Sequence, residues 1–155
     1  MSTLTVKGIE APTGYDLDMP AGATLQVVNA VNTTYATSTS STYSDTGLTA
    51  TITPKFSTSK ILIIISACLG NSTAAKNNNV IIVRGSTELQ SFSRVMFNGA
   101  SHSSAQQSFI NLDSPNTTSS TTYKLQFMTD SGAFRFNDSS GDTPSSTITL
   151  MEVAG

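Results

Sequence analysis

The pattern between Ser59 and Arg84 constrains the fold more than any other stretch of the chain. It opens Ser59-Lys60 and runs Ile61-Leu62-Ile63-Ile64-Ile65-Ser66-Ala67-Cys68-Leu69 before breaking at Gly70-Asn71-Ser72-Thr73. After Asn77-Asn78-Asn79 it resumes as Val80-Ile81-Ile82-Val83-Arg84. Branched aliphatic residues in such density favour extended backbone. A strand with one wet face alternates apolar and polar residues. Ile61 to Ile65 does not, so both of its faces are expected to be covered. One face fills a sandwich core. The other calls for a second cover, and another copy of the same chain is the cover expected here.

The rest of the chain frames that segment. Only 12% of its 155 residues are charged, about half the usual ~25%, and roughly three in ten are Ser or Thr. The aliphatic residues are clustered, which argues against disorder. With a net charge of −2 and no basic cluster, there is no electrostatic footprint for nucleic acid. The single cysteine, Cys68, excludes an intrachain disulfide and lies inside the apolar run, where it reads as a small buried hydrophobe. The longest apolar run is about half of what a membrane helix needs. The start of the chain lacks the apolar core of a secretion signal, so folding in a cytoplasm is expected. Four glycosylation sequons are of the number chance gives in so Thr-rich a chain.

Residues 1–22 read as an extended arm, with Thr3–Ile9 as a short strand and Pro12, Gly14, Pro20 and Gly22 punctuating the remainder of the arm. Residues 23–155 read as one β domain. Thr46 to Pro54 alternates Leu48, Ala50 and Ile52 with Thr49, Thr51 and Thr53, and Thr122 to Thr129 alternates Tyr123, Leu125 and Phe127 with polar residues. Further strands are expected at Thr24–Val31, Thr33–Thr37, Thr87–Arg94, Gln106–Leu112, Ala133–Asn137 and Ser146–Val153. Gly85-Ser86 and Asp130-Ser131-Gly132 read as hairpin turns. Eight to ten strands at such spacing, with no helical period, make an all-β fold: an antiparallel, jelly-roll-like β-sandwich behind an N-terminal arm.

No catalytic signature is present. His102, the only histidine, sits in a loop of small residues, and no Gly-x-Ser-x-Gly elbow accompanies it. Asp16/Asp18 and Asp138/Asp142 lack the ligand number of a calcium loop and read as turn formers. There is no Walker loop, dinucleotide fingerprint or metal-ligand pair. The chain is read as a non-enzyme that uses no cofactor and no metal.

Several phrases together resemble a known family. They are Gly22-Ala23-Thr24-Leu25-Gln26-Val27-Val28, Tyr43-Ser44-Asp45-Thr46-Gly47-Leu48, Ser59-Lys60-Ile61-Leu62-Ile63, Leu112-Asp113-Ser114-Pro115, Thr122-Tyr123-Lys124 and Ile148-Thr149-Leu150-Met151-Glu152-Val153. Together they resemble small structural proteins of tailed bacteriophages, marine and cyanobacterial ones among them, often labelled tail fibre or virion protein. The opening Ser2–Lys7 with Ile9 is similar to the arm of that family. The strand order resembles the trimeric C1q/tumour-necrosis-factor type of jelly roll, which implies a homotrimer.

The resemblance implies a virion protein assembled in the host cytoplasm. The first reading is a tail-fibre or appendage knob for host attachment, with a host-surface glycan or protein as partner. The second is a capsid decoration protein that staples the head, a reading kept close by a length short for a complete fibre. A carbohydrate-binding or hydrolytic module is the remote third. Ile61, Ile63, Ile65, Ile81, Val83 and Leu150 are the expected subunit interface. Leu4, Val6 and Ile9 are the expected attachment residues of the arm, toward other tail or capsid proteins.

Overall fold

The computed structural model describes residues 20–72, 77–95, 103–138 and 144–155. Ten strands lie among them: β1 (Thr24–Asn32), β2 (Ala36–Ser38), β3 (Ser44–Ile52), β4 (Lys60–Asn71), β5 (Asn78–Arg84), β6 (Thr87–Phe92), β7 (Ser103–Asp113), β8 (Thr121–Thr129), β9 (Phe134–Phe136) and β10 (Ser146–Val153). The arm residues Leu4, Val6 and Ile9 lie outside the described residues, as do His102, Asp16, Asp18 and Asp142.

Pairing is antiparallel throughout and nested. β5 pairs β6, β4 pairs β7, β3 pairs β8 and β1 pairs β10. A long hairpin rolled up in this way gives the two sheets of a jelly roll. Sheet I runs β1-β10-β4-β7, and sheet II runs β3-β8-β5-β6. The small pair β2-β9 extends sheet I, with β9 taking over the edge of β4 where β10 leaves it. The alternation expected for β3 and β8 is realised. Leu48, Ala50 and Ile52 are buried beneath exposed Thr49 and Thr51, and Tyr123, Leu125 and Phe127 point into the core. The core also takes Ile61, Ile63, Ile65, Ala67 and Leu69 from β4 with Ile148 and Leu150 from β10. Phe127 and Phe134 bridge the sheets with ring centroids 5.6 Å apart.

Two local expectations change. Gly85 (φ +59°) makes the β5-β6 hairpin as read, but the turn around Gly132 is not a hairpin. β8 belongs to sheet II and β9 to sheet I, so this segment crosses between sheets. The strand expected at Thr33–Thr37 is realised only in part: β2 begins at Ala36, and Thr33 to the exposed Tyr35 lie outside it.

The handover from β10 to β9 leaves a gap in the ladder at Ala67 and Cys68 that side chains fill. Ser146 Oγ accepts from the Cys68 N–H (2.9 Å), and the Asn137 N–H donates to the Cys68 carbonyl (2.9 Å). Asn137, at φ +52°, also donates from Nδ2 to the carbonyls of Asn32 and Thr34 and accepts from Ser146 Oγ. Buried backbone groups need such partners, and one asparagine satisfies most of this seam.

The sandwich has two poles. At the first, the Gly22 N–H donates to the Ala154 carbonyl and the Ala154 N–H to Ala23, so chain entry lies beside the last strand. Arg84 Nη1 bonds both oxygens of Asp113 there (2.9 and 2.8 Å), and Tyr123 Oη donates to the same carboxylate, tying sheet II to the end of β7. The fully buried Glu152 accepts from Gln26 Nε2 (2.5 Å) and from the Lys55 and Phe56 N–H groups, holding the β3-β4 connection. Strands flanking residues 73–76, 96–102 and 139–143 all end at the opposite pole.

Candidate subunit interface

Strand parity decides which residues of β4 are free. Side chains alternate between faces, and Ile61, Ile63 and Ile65 are all 0% exposed in the core. Leu62 and Ile64 turn outward and are half-buried. The expected placement of Ile61, Ile63, Ile65 and Leu150 at a subunit contact is therefore corrected: these residues fill the core of their own chain. An unbroken apolar run hides its parity, and only the partner strands reveal it.

Ile81 and Val83 require a different correction. They lie on the face of β5 opposite to the core residues Val80 and Ile82, yet are only 4% and 3% exposed. β5 is thus covered on both faces within one chain and offers no free surface at these positions.

The outward face of sheet I is where apolar surface remains. Its register sets rows across the four strands. Val27 lies beside Met151, Leu62 and Leu112, and the next row is Asn29, Thr149, Ile64 and Ile110. The third is Val31, Thr147, Ser66 and Ser108. Val27, Val31, Ile110 and Leu112 are 55–59% exposed, the four most exposed large apolar side chains among the described residues. None of these twelve positions carries a charge. Some polar members are already bonded: Asn29 Nδ2 donates to Thr149 Oγ1, and Gln106 Nε2 of the next row to Ser66 Oγ, each at 2.8 Å. Groups paired in this way lose little when they are covered. Contiguous apolar surface rimmed by polar residues is the signature of a contact surface.

Reading of the sequence missed Leu112, Ile110, Val27 and Met151 as surface residues. One signal was there: Phe109 and Ile110 are adjacent, so one of them had to point away from the core. Which one depends on pairing with β4, where Ile65 meets Phe109 and Ile64 meets Ile110.

Several ionisable groups among the described residues are tied into the fold. Burial, followed by the charge of Asp138, pushes the Cys68 thiol up, away from thiolate reactivity. Asp138 pairs with Arg135 at 2.9 Å. Hydrogen bonds from Gln126 and Lys124 hold the Asp45 carboxyl below its ordinary range. Burial and the bond to Asp113 push the Tyr123 phenol far above its own. No helix of the described residues is long and apolar enough to cross a membrane.

No protein-family model and no curated protein matches the sequence. Among solved structures the chain is similar over 91% of its length to a protein of Bacillus endospore appendages, a family of disulfide-linked pili (14% identity, TM-score 0.35, all of that chain). It is similar over 88% to dimeric latent PorU from Porphyromonas gingivalis (9% identity, TM-score 0.38) and over 97% to a chain of infectious bursal disease virus Gx strain (11% identity, TM-score 0.40). It spans 14% and 43% of those two chains. These overlaps are too loose for anything known of those proteins to be carried across.

Proposed function

We propose that the chain is a non-enzymatic structural protein on the surface of a bacteriophage particle, a homotrimer that serves as a tail-fibre or appendage knob in host attachment. The observation that carries the self-association is the set of three uncharged, largely apolar rows on the outward face of sheet I, which have no cover among the described residues. Burying four half-exposed aliphatic side chains per copy supplies several kcal/mol at about 25 cal/mol per Å², and low charge removes the usual penalty for doing so. The phage resemblance of the strand phrases supports the setting.

The two poles support the orientation. Chain entry at Gly22 lies at one pole, which suits an arm docked to the particle. The strand ends that flank residues 73–76, 96–102 and 139–143 lie at the other, which suits contact with a host glycan or protein. Light scattering should give three times the 16.2 kDa chain mass, and a monodisperse monomer at micromolar concentration would overturn the trimer. Imaging of the intact particle tests the setting. A few to tens of copies on the tail fits the appendage; hundreds on the head makes the protein a capsid decoration instead.

A further inference from the structure

We infer that the β2-β9 corner of the sandwich carries a shallow saccharide site, where the Tyr35 ring receives the apolar face of a neutral sugar and the Arg135–Asp138 pair its neighbouring hydroxyls. The inference rests on the host contact proposed above for the pole opposite chain entry, and names the site and the ligand class. Parity places the residues. Phe134 and Phe136 of β9 point into the core, so Arg135 between them faces outward. β2 sets Ala36, which packs against the core, beside Phe136 and sets Thr37 beside Arg135. Tyr35, one residue before β2, is then the diagonal neighbour of Arg135 on the outward face. The Asn137 Nδ2 bond to the Thr34 carbonyl holds the chain in place just ahead of it.

The polar pair is held in position by the backbone beneath it. Arg135 Nη1 donates to Asp138 Oδ2 at 2.9 Å, and both side chains stay partly open, at 24% and 16% exposure. Gly70, the β4 residue paired with Arg135, makes room for the carboxylate. A Cβ there would lie 3.2 Å from Asp138 Oδ2 and 3.0 Å from the Ser103 carbonyl. The bond to Asp138 keeps the guanidinium charged in spite of partial burial, and the Tyr35 phenol is close enough to add to that effect. The three uncharged rows end at Ser66, so this corner lies beyond them.

Unfilled bonding capacity selects the ligand class. Arg135 Nε is buried without a partner, and neither its Nη2 nor Asp138 Oδ1 is bonded among the described residues. A guanidinium short of acceptors gains more from a ligand oxygen than one already satisfied. The carboxylate cancels the charge of its partner, so the pair offers a donor and an acceptor side by side with no net charge. Hydroxyls on adjacent sugar carbons present the complement, because each both donates and accepts. An anion would instead have to compete with Asp138 for Arg135. Tyr35, 49% exposed, supplies the apolar platform that such a ligand needs for its C–H face.

Saturation-transfer NMR of the full chain tests the site, with methyl glycosides of glucose, galactose, mannose and N-acetylglucosamine as neutral probes and methyl glucuronoside as the charged one. At least one neutral glycoside should bind. Tyr35→Ala, at a position exposed enough to spare the fold, should weaken it about tenfold or more, while Tyr35→Phe keeps the ring and most of the affinity. Asp138→Asn should weaken it too, and Arg94→Ala, at the same pole beside Asn79, should change nothing. Binding that survives both Tyr35→Ala and Asp138→Asn would overturn the site and leave host contact at this pole standing. Glucuronoside bound more tightly than every neutral glycoside would overturn it in favour of an anion site at Arg135. No glycoside bound would overturn it outright. Competition of the purified chain with particle adsorption to host cells judges the host contact separately, since it presumes no receptor.

Discussion

Leu62 and Ile63 are joined by one peptide bond, yet Ile63 is fully buried between the sheets while Leu62 faces outward from β4. Charge substitutions on the two faces should therefore fail differently. Ile63→Asp buries an unpaired carboxylate and should cost about 4 kcal/mol or more, visible as loss of soluble folded protein. Ile64→Asp, on the outward face, should leave the circular dichroism spectrum intact and abolish the proposed trimer in light scattering. An Ile64→Asp chain that still forms trimers would remove sheet I as the contact surface.

Tyr123 and Asp113 join β8 to β7 through a 2.8 Å hydrogen bond, with Arg84 completing the cluster. Tyr123→Phe leaves the ring in place and removes one donor to a buried carboxylate, a loss of about 1–3 kcal/mol. The urea midpoint should fall with an unchanged m-value. An unchanged midpoint would mean that Arg84 alone satisfies Asp113.

Glu152 gives the fold a defined response to acid. Burial alone pushes its carboxyl up, but donors from Gln26 and the Lys55 and Phe56 backbone outweigh it and hold the group below its ordinary value. The unfolded chain then takes up this proton first as pH falls. The contribution is whole above about pH 4.5 and is lost as pH drops through the depressed folded value. Asp45, lowered by Gln126 and Lys124, acts with the same sign. Urea midpoints at pH 7 and in stronger acid should converge less steeply in Glu152→Gln than in the parent chain. Equal slopes would remove Glu152 as a source.

Asn137 should be the least replaceable polar residue of the seam. Asn137→Ala removes its bonds to Asn32, Thr34 and Ser146 and places a Cβ-bearing residue without local side-chain bonding at φ +52°. A loss of about 2–4 kcal/mol is expected in chemical denaturation. Asn137→Gly should recover only the backbone part.

Strands that expose one face were legible because alternation writes their parity into the sequence, as in Leu48-Thr49-Ala50-Thr51-Ile52 and Tyr123–Phe127. β4 was legible as a central strand, but five consecutive aliphatics carry no parity, so its interface residues were assigned to the wrong face. Glu152 lies near the end of an apolar strand, where nothing in its neighbours marks it as buried. Its burial depends on Gln26 and on backbone donors some hundred residues away in sequence, which no local pattern records. The β8-to-β9 crossing resembles a hairpin because Gly132 supplies the same positive φ to either connection. Pole and row, which define the candidate site, come only from pairing.

Nesting also orders events in time. The β5-β6 hairpin closes over two residues, whereas β1 has no strand partner in the described structure except β10, made last. Loop closure therefore proceeds outward, and the N-terminal strand waits for the C-terminal one. During synthesis β1 stays unpaired while the middle of the sandwich forms. The row from Val27 through Met151 and Leu62 to Leu112 exists only once β10 has been made. A copy without β10 lacks that row, so an assembly contact made through it would also discriminate against such copies.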